Sequence, residues 1–372
     1  MSNLILINLN SAWNIYNFRI SLIQSLQENG YKVVCVAPHD NYVDKLEDIG
    51  VKCFDVNLNP KGTNPITDLY LVYQYYKLFK LLSPDIILSY TIKPNIYGNL
   101  AARLLRIPTI NNISGLGTLF IKTSFATYFG KMLYRLSLAF SDHVFFQNKD
   151  DLQLFSKNNL VKAEMTSMIP GSGVNIKKFN CDRAKNKANK FLFVGRLIAD
   201  KGIFEYLDAA VAGLKKYPEK EFLLAGELGY NNKTAISKQQ LEDFTNNYPQ
   251  VKYLGKTDNI IALLKSVDVL VLPSYREGLS KSLIEAAAMK LPIITTNVPG
   301  CRDVVKDGFN GFLCSVKSKS SLEKAIFNMI DLNEVERLEF GANGRKIVVD
   351  KFSSDIVNKI YLDKINKIVI CN

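Results

Sequence analysis

Two acidic residues flank a short polar step in the segment PSYREGLSKSLIEAAAMKLPII, residues 273–294. Glu277 follows directly after a hydrophobic run typical of a buried strand, and Glu285 lies inside a helix-like run. Ser280 is a residue type that caps helices, so the amides next to it are expected to lie free at a helix start. Free amides at that position bind anions such as phosphate, and carboxylates accept hydrogen bonds from vicinal hydroxyls. The segment therefore predicts a site for a ligand that carries both phosphates and diols.

Two other loops follow predicted strands and carry residue types that suit a phosphate ligand. In FVGRLIADKG the strand ends at Gly195, and Arg196 and Lys201 supply the cations that a diphosphate needs. In LLAGELG, Gly226 allows the backbone to pass close to a ligand. Each loop alone is a weak signal; a Gly-Arg pair after a strand, for example, more often serves the fold than a ligand. Together with Glu277 and Glu285 they predict one ligand site.

The chain alternates short apolar runs with helix-length amphipathic segments, which predicts parallel sheets covered by helices on both faces. The predicted strands are residues 4–9, 32–38, 85–90, 108–113, 143–148, 191–196, 221–226, 251–256, 268–274 and 291–297. The polar stretch at 180–190 is predicted to be an interdomain linker. The fold class is therefore α/β, with doubly wound domains at 1–180 and 181–350. Residues 351–372 are expected to form a helix that packs back on the N-terminal domain.

Composition is that of an ordinary globular protein, with 372 residues, 47% hydrophobic and 22% charged, and the length favours two domains. No apolar run reaches about 18 residues, so no transmembrane helix is predicted. The N-terminal sequence has neither the basic flank nor the small-residue cleavage site of a secretory signal. The six cysteines lack metal-binding spacing, and reduced cytosolic thiols are expected.

The net charge of +12 predicts an anionic partner. The distribution of the charge along the chain is more informative than its total. No basic run, RNA-binding aromatic motif or zinc-finger spacing is present, so no nucleic-acid partner is predicted. No acid occurs between Asp85 and Asp142, and aromatic and basic residues interleave over 119–140. That segment is either a buried helix with a solvated basic edge or a helix that lies on an anionic membrane surface.

In this order and spacing, the loops resemble the donor-binding half of the family-4 retaining glycosyltransferases. Those enzymes have the GT-B fold, two facing Rossmann-like domains with a deep cleft between them. GRLIADKG matches the family's phosphate loop, and EGLSKSLIE matches its Glu-x7-Glu signature, with Ser280 in place of the usual proline. The resemblance implies that Arg196 and Lys201 hold the diphosphate of a UDP-sugar, that Glu285 holds the ribose, and that Glu277 approaches the hexose.

By the same resemblance, three residues have catalytic roles and the backbone makes most of the other donor contacts. The catalytic residues are Arg196, Lys201 and Glu277. The other donor-binding residues are Gly195, Gly226, Leu254, Lys256, Gly278, Leu279, Ser280 and Glu285, with the base near Leu254 and Lys256.

The N-terminal half, with NIYNFRISLIQSLQENG, TIKPNIYGNLAARLLRIP and NNISGLGTLF, resembles a subgroup that builds bacterial surface polysaccharides such as O-antigen and capsule. Those enzymes add a sugar, often an N-acetylhexosamine, to a glycan on undecaprenyl diphosphate. The resemblance implies that Arg19 and Lys93 point at the acceptor diphosphate, although a surface salt bridge would also explain Arg19. Gly115 and Gly117 imply close backbone approach. UDP-N-acetylgalactosamine is the favoured donor, with an alpha linkage.

A lipid-linked acceptor stays in the bilayer, which favours the membrane interpretation of residues 119–140. We therefore expect a cytoplasmic protein that associates peripherally with the inner face of the bacterial plasma membrane. The only histidines, His39 and His143, give no support to a histidine general base, and in this family the leaving phosphate oxygen receives the acceptor's proton. No metal or other cofactor is expected, since no Asp-x-Asp pair or histidine cluster accompanies the phosphate loops.

Two other functional classes share parts of this pattern. An enzyme of the UDP-N-acetylglucosamine 2-epimerase type would bind a UDP-sugar on the same architecture, but it would need its own acid–base carboxylates and no acceptor. A sugar-nucleotide binding module without catalysis would not need two separate carboxylates for diols. Transferases that use UDP-glucose, UDP-galactose or UDP-N-acetylglucosamine also remain open, as do the acceptor sugar, the linkage position and the oligomeric state.

Overall fold

The computed structural model describes residues 3–59, 62, 64–115, 125–183, 188–228, 232 and 234–370. The chain divides into two compact units. One contains residues up to Ser172 together with those from Ser354 onward, and the other is Gly173–Ser353. The predicted boundary at 350 lies close to the observed one, whereas the one predicted at 180 lies eight residues after Ser172, so the predicted linker at 180–190 begins inside the second unit. Within the described residues, no helix is long and apolar enough to cross a membrane.

The first unit is built on a parallel sheet whose described strands are β1 (Leu4–Asn8), β2 (Lys32–Val36), β3 (Lys52–Phe54), β4 (Ile86–Tyr90), β5 (Thr109–Ile113), β6 (His143–Phe146) and β7 (Thr166–Met168). Their order in the sheet is β3-β2-β1-β4-β5-β6-β7. Successive strands are added outward from β1 in one direction up to β3 and in the other from β4. The carboxyl ends of β1 and β4 therefore flank the switch point of this sheet.

Helices cover both faces of that sheet. They are α1 (Ala12–Glu28), α2 (Val43–Glu47), α3 (Pro65–Leu82), α4 (Asn99–Leu105), α5 (Phe125–Leu138), α6 (Lys149–Lys157) and, from the C-terminal end of the chain, α13 (Ser354–Ile370). A π-helical turn, Pro94–Gly98, leads from β4 into α4. The Ser11 hydroxyl caps α1 by accepting from the Asn14 N–H at 3.2 Å. α1 and α13 pack on one face, and α3 and α4 pack on the other.

The second unit repeats this architecture with the strand order β10-β9-β8-β11-β12-β13, again all parallel. Its described strands are β8 (Lys190–Val194), β9 (Glu221–Ala225), β10 (Val251–Tyr253), β11 (Val269–Leu272), β12 (Ile293–Thr296) and β13 (Gly311–Cys314). Its helices are α7 (Ile203–Lys216), α8 (Lys238–Asn247), α9 (Ile260–Lys265), α10 (Lys281–Ala288), α11 (Lys319–Asp331) and α12 (Glu334–Lys351). The switch point lies between β8 and β11.

The α/β prediction of two doubly wound parallel-sheet domains is confirmed. All ten predicted runs contain strands, and nine of these strands lie inside a sheet, where both faces are buried and the sequence is largely apolar. The tenth, β10, is an edge strand. The prediction missed β3, β7 and β13, which are three or four residues long and lie at the edges of their sheets. At an edge, a short segment need not be apolar throughout.

Candidate functional site

The predicted donor residues lie at the carboxyl edge of the sheet in the second unit. Arg196 and Lys201 follow β8, Gly226 follows β9 and Glu277 follows β11. Both β9 and β11 pair with β8, so these loops surround the switch point of the sheet. Open parallel sheets bind their ligands at this position. The loops that the sequence singled out are therefore brought together by the fold.

Three glycines let these loops pack closely against one another. A Cβ on Gly226, whose φ is +146°, would lie 1.8 Å from the Gly195 carbonyl oxygen. A Cβ on Gly202, at φ +76°, would lie 2.2 Å from the Pro273 carbonyl oxygen. A Cβ on Gly300, at φ +75°, would lie 2.6 Å from the Gly278 carbonyl oxygen. Gly226 thus lies against a neighbouring loop, which fixes the positions of the two loops, and its close approach to a ligand stays a prediction.

Lys201 and Glu277 form an ion pair between the loops that follow β8 and β11. Both side chains are largely buried, and Ser274 donates its hydroxyl to the same Glu277 oxygen, Oε1, at 2.7 Å. The Tyr275 N–H also donates to the Asp200 carbonyl at 2.9 Å, which joins the two loops through the backbone. The sequence assigned Lys201 and Glu277 to different parts of a ligand and did not predict their pairing. Ser274 was missed, although it lies three residues before Glu277.

Arg196 differs from Lys201 because its side chain is exposed and makes no hydrogen bond or ion pair with any residue that the structure describes. Its guanidinium presents five N–H donors in a planar fork that matches a phosphate or a carboxylate. The Arg196 guanidinium can therefore bind an anionic ligand beside the switch point without first breaking a hydrogen bond or ion pair to a described residue.

Glu285 lies on the second turn of α10, where it is almost fully buried. Burial raises the pKa of its carboxyl group, and the nearby cations Lys281 and Lys178 oppose that shift. The Lys281 ammonium is 3.7 Å away. When Glu285 is ionised, both of its carboxylate oxygens are hydrogen-bond acceptors, and recognition of a diol requires two acceptors.

The start of α10 provides part of the predicted amide cluster. The Ser280 side chain caps no amide of the helix, and the first-turn N–H groups of a helix have no partner within it. The prediction that Ser280 caps the helix with its side chain is therefore wrong, and the Ser280 N–H donates to the Gly300 carbonyl at 3.3 Å. Leu279 makes no backbone hydrogen bond through its N–H to a described residue, whereas Gly278 is buried and has a contact of its own.

The predicted base-binding residues lie on the loop after β10. The Leu254 N–H donates to the Leu224 carbonyl at 2.8 Å, and the Gly255 carbonyl accepts from the Gly226 N–H at 2.9 Å. The side chains of Leu254 and Lys256 are exposed. The backbone of this loop is therefore tied to β9 and its loop, and its side chains remain at the surface.

In the first unit, Arg19 is only 4% exposed, although it carries a charge. Its guanidinium carbon lies 3.9 Å from the centre of the Tyr90 ring, and its Nε donates to no described residue. Tyr90 ends β4 at the switch point of this sheet. The alternative of a surface salt bridge is therefore wrong for Arg19. A buried cation without a carboxylate among the described residues has unused hydrogen-bonding capacity.

Lys93 is paired instead with Asp68 of α3, whose carboxylate also accepts from the Tyr97 hydroxyl at 2.7 Å. The ammonium and the carboxylate are 2.5 Å apart. Asp68 was not among the predicted site residues, because nothing in the local spacing relates a residue of α3 to one after β4. Gly115 has a φ of +130°, and Gly117 lies outside the described residues.

Two other groups, His143 and Cys301, have shifted pKa values that leave them uncharged at neutral pH. Burial, with Lys364 adding to it, lowers the pKa of His143 to about 4, and its Nε2 is 2.8 Å from the Ser167 hydroxyl. Burial, followed by the Glu277 charge, raises the pKa of the Cys301 thiol to about 12. Within the described residues, no group of three histidine, cysteine or acidic side chains could hold a metal ion.

Two family descriptions match this chain, one in each half. Residues 5–148 match the family described as "Glycosyl transferase 4-like", and residues 176–347 match "Glycosyl transferases group 1". Similar curated proteins include the N,N'-diacetylbacillosaminyl-diphospho-undecaprenol alpha-1,3-N-acetylgalactosaminyltransferase of Campylobacter jejuni, 27% identical, with 96% of each chain covered. The UDP-Gal:alpha-D-GlcNAc-diphosphoundecaprenol alpha-1,3-galactosyltransferase of Escherichia coli is 27% identical over 87% of this chain and 86% of its own.

Solved structures share the fold at low sequence identity. A glycosyltransferase from Rickettsia africae has a TM-score of 0.79 and 18% identity, with 99% of each chain covered. Anabaena HepE, solved in complex with UDP and glucose, has a TM-score of 0.80 and 17% identity over 98% of this chain and all of its own. These are GT-B structures, and the two parallel sheets of this chain have that fold. Because the two family matches together span most of the chain, the chain belongs to the family-4 glycosyltransferases.

Proposed function

We propose that this glycosyltransferase moves a sugar from a UDP-sugar to a glycan on a polyprenyl diphosphate, with retention of configuration, in the synthesis of a bacterial surface polysaccharide. The main support for a UDP-sugar donor is that Arg196, Lys201 and Glu277 lie together at the switch point between β8 and β11. The C. jejuni and E. coli relatives, which are named for undecaprenyl-linked acceptors, support the acceptor half.

Each side chain of the donor site has a task that follows from its surroundings. Arg196, whose exposed side chain makes no hydrogen bond or ion pair with a described residue, binds diphosphate oxygens with its planar fork. Lys201 binds the same diphosphate while Glu277 and Ser274 hold its loop in place. Glu285 accepts from the ribose hydroxyls inside the protein. The amides at the start of α10 add partial positive charge near the leaving phosphate.

The chemistry needs no side-chain base. The acceptor oxygen forms a bond to the anomeric carbon while the bond from that carbon to the diphosphate oxygen breaks. The bonding electrons leave with UDP, and the acceptor's proton passes to a phosphate oxygen on the same face, which retains the configuration. Arg196 and Lys201 stabilise the charge that grows on the diphosphate. We propose that the reaction uses no metal ion, so a chelator should leave the rate unchanged.

The acceptor diphosphate meets the first unit at Arg19, whose guanidinium lies at the switch point with unused donor capacity. Lys93 binds the same group only by sharing its ammonium with Asp68. Gly115 and Gly117 complete the acceptor contacts. N-acetylgalactosamine in an alpha linkage is the proposed sugar, in keeping with the name of the C. jejuni relative. The E. coli relative is named for galactose, which makes UDP-galactose the first competitor to test.

The enzyme associates peripherally with the inner face of the plasma membrane through residues 119–140, in the region of α5. The exposed side of α5 carries Tyr128, Met132 and Leu136 together with Arg135. Lys131 is half-buried and donates to the Asn158 side chain at 2.9 Å, and Lys122 lies outside the described residues. Apolar and aromatic side chains mixed with cations suit a headgroup boundary.

A panel of UDP-sugars, each incubated with and without a synthetic polyprenyl-diphosphate-linked acceptor, tests the proposal. We expect product only with the acceptor present, and UDP-N-acetylgalactosamine as the preferred donor. An epimerase would isomerise UDP-N-acetylglucosamine without any acceptor, and that outcome would reject the proposed function.

A further inference from the structure

Helix α3 exposes an apolar stripe along the side that faces away from the sheet. Its inner side buries Leu71, Tyr75 and Phe79. Its outer side exposes Ile66, Leu69, Tyr70, Tyr73 and Leu81, with 78%, 72%, 57%, 50% and 76% of each residue accessible. These positions recur at helical spacing, so they form one continuous stripe. Elsewhere, exposed apolar residues such as Val335 and Val349 of α12 lie singly, which is ordinary for a protein surface.

The charges on the outer side of α3 are all positive. Lys77 and Lys80 lie exposed on the same stripe, and the Lys77 ammonium is 4.8 Å from the centre of the Tyr73 ring. The only acid in residues 64–83 is Asp68, which is buried on the opposite side and paired with Lys93. The stripe therefore combines apolar residues, tyrosines and lysines with no exposed carboxylate.

The helices next to α3 continue this surface chemistry. α3 packs on α4 and on the π-helical turn, and α5 packs on the same two elements. α4 exposes Leu104, and its Arg103 guanidinium lies 4.6 Å from the centre of the Phe140 ring, just beyond α5. No acid occurs from residue 86 to residue 141. Three neighbouring elements thus expose apolar and basic side chains without acidic ones.

We propose that the outer side of α3 is a second membrane-docking surface, which lies on an anionic lipid bilayer with its apolar residues at the acyl boundary and its lysines among the headgroups. Tyrosine rings with a hydroxyl at one end suit the headgroup level, and lysines reach anionic lipids. A second copy of the chain fits this surface less well, because the stripe of one copy offers no exposed carboxylate to pair with Lys77 and Lys80 of the other. The inference rests on the proposed function, since the lipid-linked acceptor is what places the enzyme at a bilayer.

The test compares three variants in sedimentation with vesicles that contain phosphatidylglycerol and no acceptor. The first is Ile66→Gln/Leu69→Gln/Tyr73→Gln, and the second is Lys77→Gln/Lys80→Gln. The control is Val335→Gln/Val349→Gln on α12, which removes exposed apolar residues from the other unit. All of these positions are exposed, so thermal unfolding and donor hydrolysis in solution should match the parent in each variant.

We expect the apolar variant to partition at least about tenfold more weakly, because large apolar side chains leave the acyl boundary. The lysine variant should partition about 25-fold more weakly at low salt, since each lysine near an anionic surface contributes about fivefold, and the difference should shrink in high salt. The control variant should bind as the parent does, and no protein should sediment with phosphatidylcholine vesicles as it does with anionic ones.

Three results would overturn the proposal, and each can be distinguished from failure of the proposed transferase function. If the α3 variants bind like the parent while Arg135→Gln on α5 weakens binding, α3 is not a contact but the proposed membrane association stands. If the parent itself does not bind, both fail, whereas transfer to a detergent-solubilised acceptor still tests the proposed reaction. If the parent is a concentration-dependent dimer and the apolar variant is a monomer, the stripe is an interface between copies of the chain.

Discussion

Glu277 and Glu285 have different surroundings, and we expect them to serve different parts of the donor. Glu285 is buried on α10, whereas Glu277 is bound to Lys201 and Ser274 in the loop after β11. Glu285→Ala should therefore weaken the binding of UDP alone, because the ribose belongs to the nucleotide. Glu277→Ala should weaken UDP binding much less and mainly lower turnover, because Glu277 is proposed to approach the sugar and reaches the nucleotide only through Lys201. Calorimetry with UDP decides this, and an equal loss of affinity in the two variants would reject the division.

Alanine substitutions at Arg196 and Lys201 should have similar effects on turnover and different effects on stability. Each substitution by alanine should lower kcat by about a hundredfold or more, because each removes a charge that stabilises the departing diphosphate. Arg196→Ala should leave the thermal unfolding temperature unchanged, since the side chain is exposed and has no described partner. Lys201→Ala should lower that temperature, since it leaves the Glu277 carboxylate largely buried without its cation. Equal melting temperatures for the two variants would show that the ion pair contributes nothing to stability.

Glu285 should cost the protein stability at neutral pH. Burial raises its folded-state pKa above that of the unfolded chain, so the folded state binds more protons and stability falls as pH rises through that interval. Glu285→Gln should therefore raise the unfolding temperature of the ligand-free protein at pH 7. The gain should vanish below about pH 4, where the carboxyl is protonated in both states. A gain that is the same at both pH values would mean that packing, and not ionisation, is responsible.

At the scale of the elements, the close contact between the loops after β8 and β9 should make Gly226 irreplaceable. In Gly226→Ala, the new Cβ would overlap the Gly195 carbonyl oxygen, so the loops must separate. We expect a loss of at least about 3 kcal/mol in the free energy of unfolding, with donor binding lost as well. Gly308→Ala is the matched control, because Gly308 also has a positive φ but no atom within 4 Å of the added Cβ. Its cost should be about 1 kcal/mol, and similar costs for both would contradict the explanation.

The elements also show what the sequence could predict. The strands β8, β9 and β11 were predicted because buried parallel strands are continuous apolar runs, and the loops after them carry Arg196, Lys201, Gly226 and Glu277. The pairing of Lys201 with Glu277, and of Lys93 with Asp68, was not predictable, since it depends on which loops the strand order brings together.

The C-terminal helix is the clearest case of a long-range relation. Tyr361 of α13 accepts from the Asn112 side chain at 2.8 Å and lies beside the Tyr90 ring that contacts Arg19. No local spacing in the sequence relates Tyr361 to the end of β5. The packing of this helix on the first unit makes it part of the surroundings of Arg19.

At the scale of the whole molecule, the proposed donor site lies on one unit, and the other carries Arg19, a buried cation with no ion-pair partner among the described residues. The charge distribution agrees with this assignment, because the acid-free stretch of residues 86–141 falls in the unit proposed to meet the lipid-linked acceptor. In the same unit, α3 and α5 expose apolar and basic side chains together.

The central claim is that Arg196 and Lys201 support transfer of a sugar, with retention, from a UDP-sugar to a lipid-diphosphate-linked acceptor. The most direct measurement incubates the parent and the Arg196→Ala variant with UDP-N-acetylgalactosamine and a polyprenyl-diphosphate-linked acceptor, and determines the anomeric configuration of the product by NMR. We predict one UDP released for each alpha-linked product, at a rate about a hundredfold lower in the variant. A beta-linked product, or conversion of the UDP-sugar without an acceptor, would contradict the account.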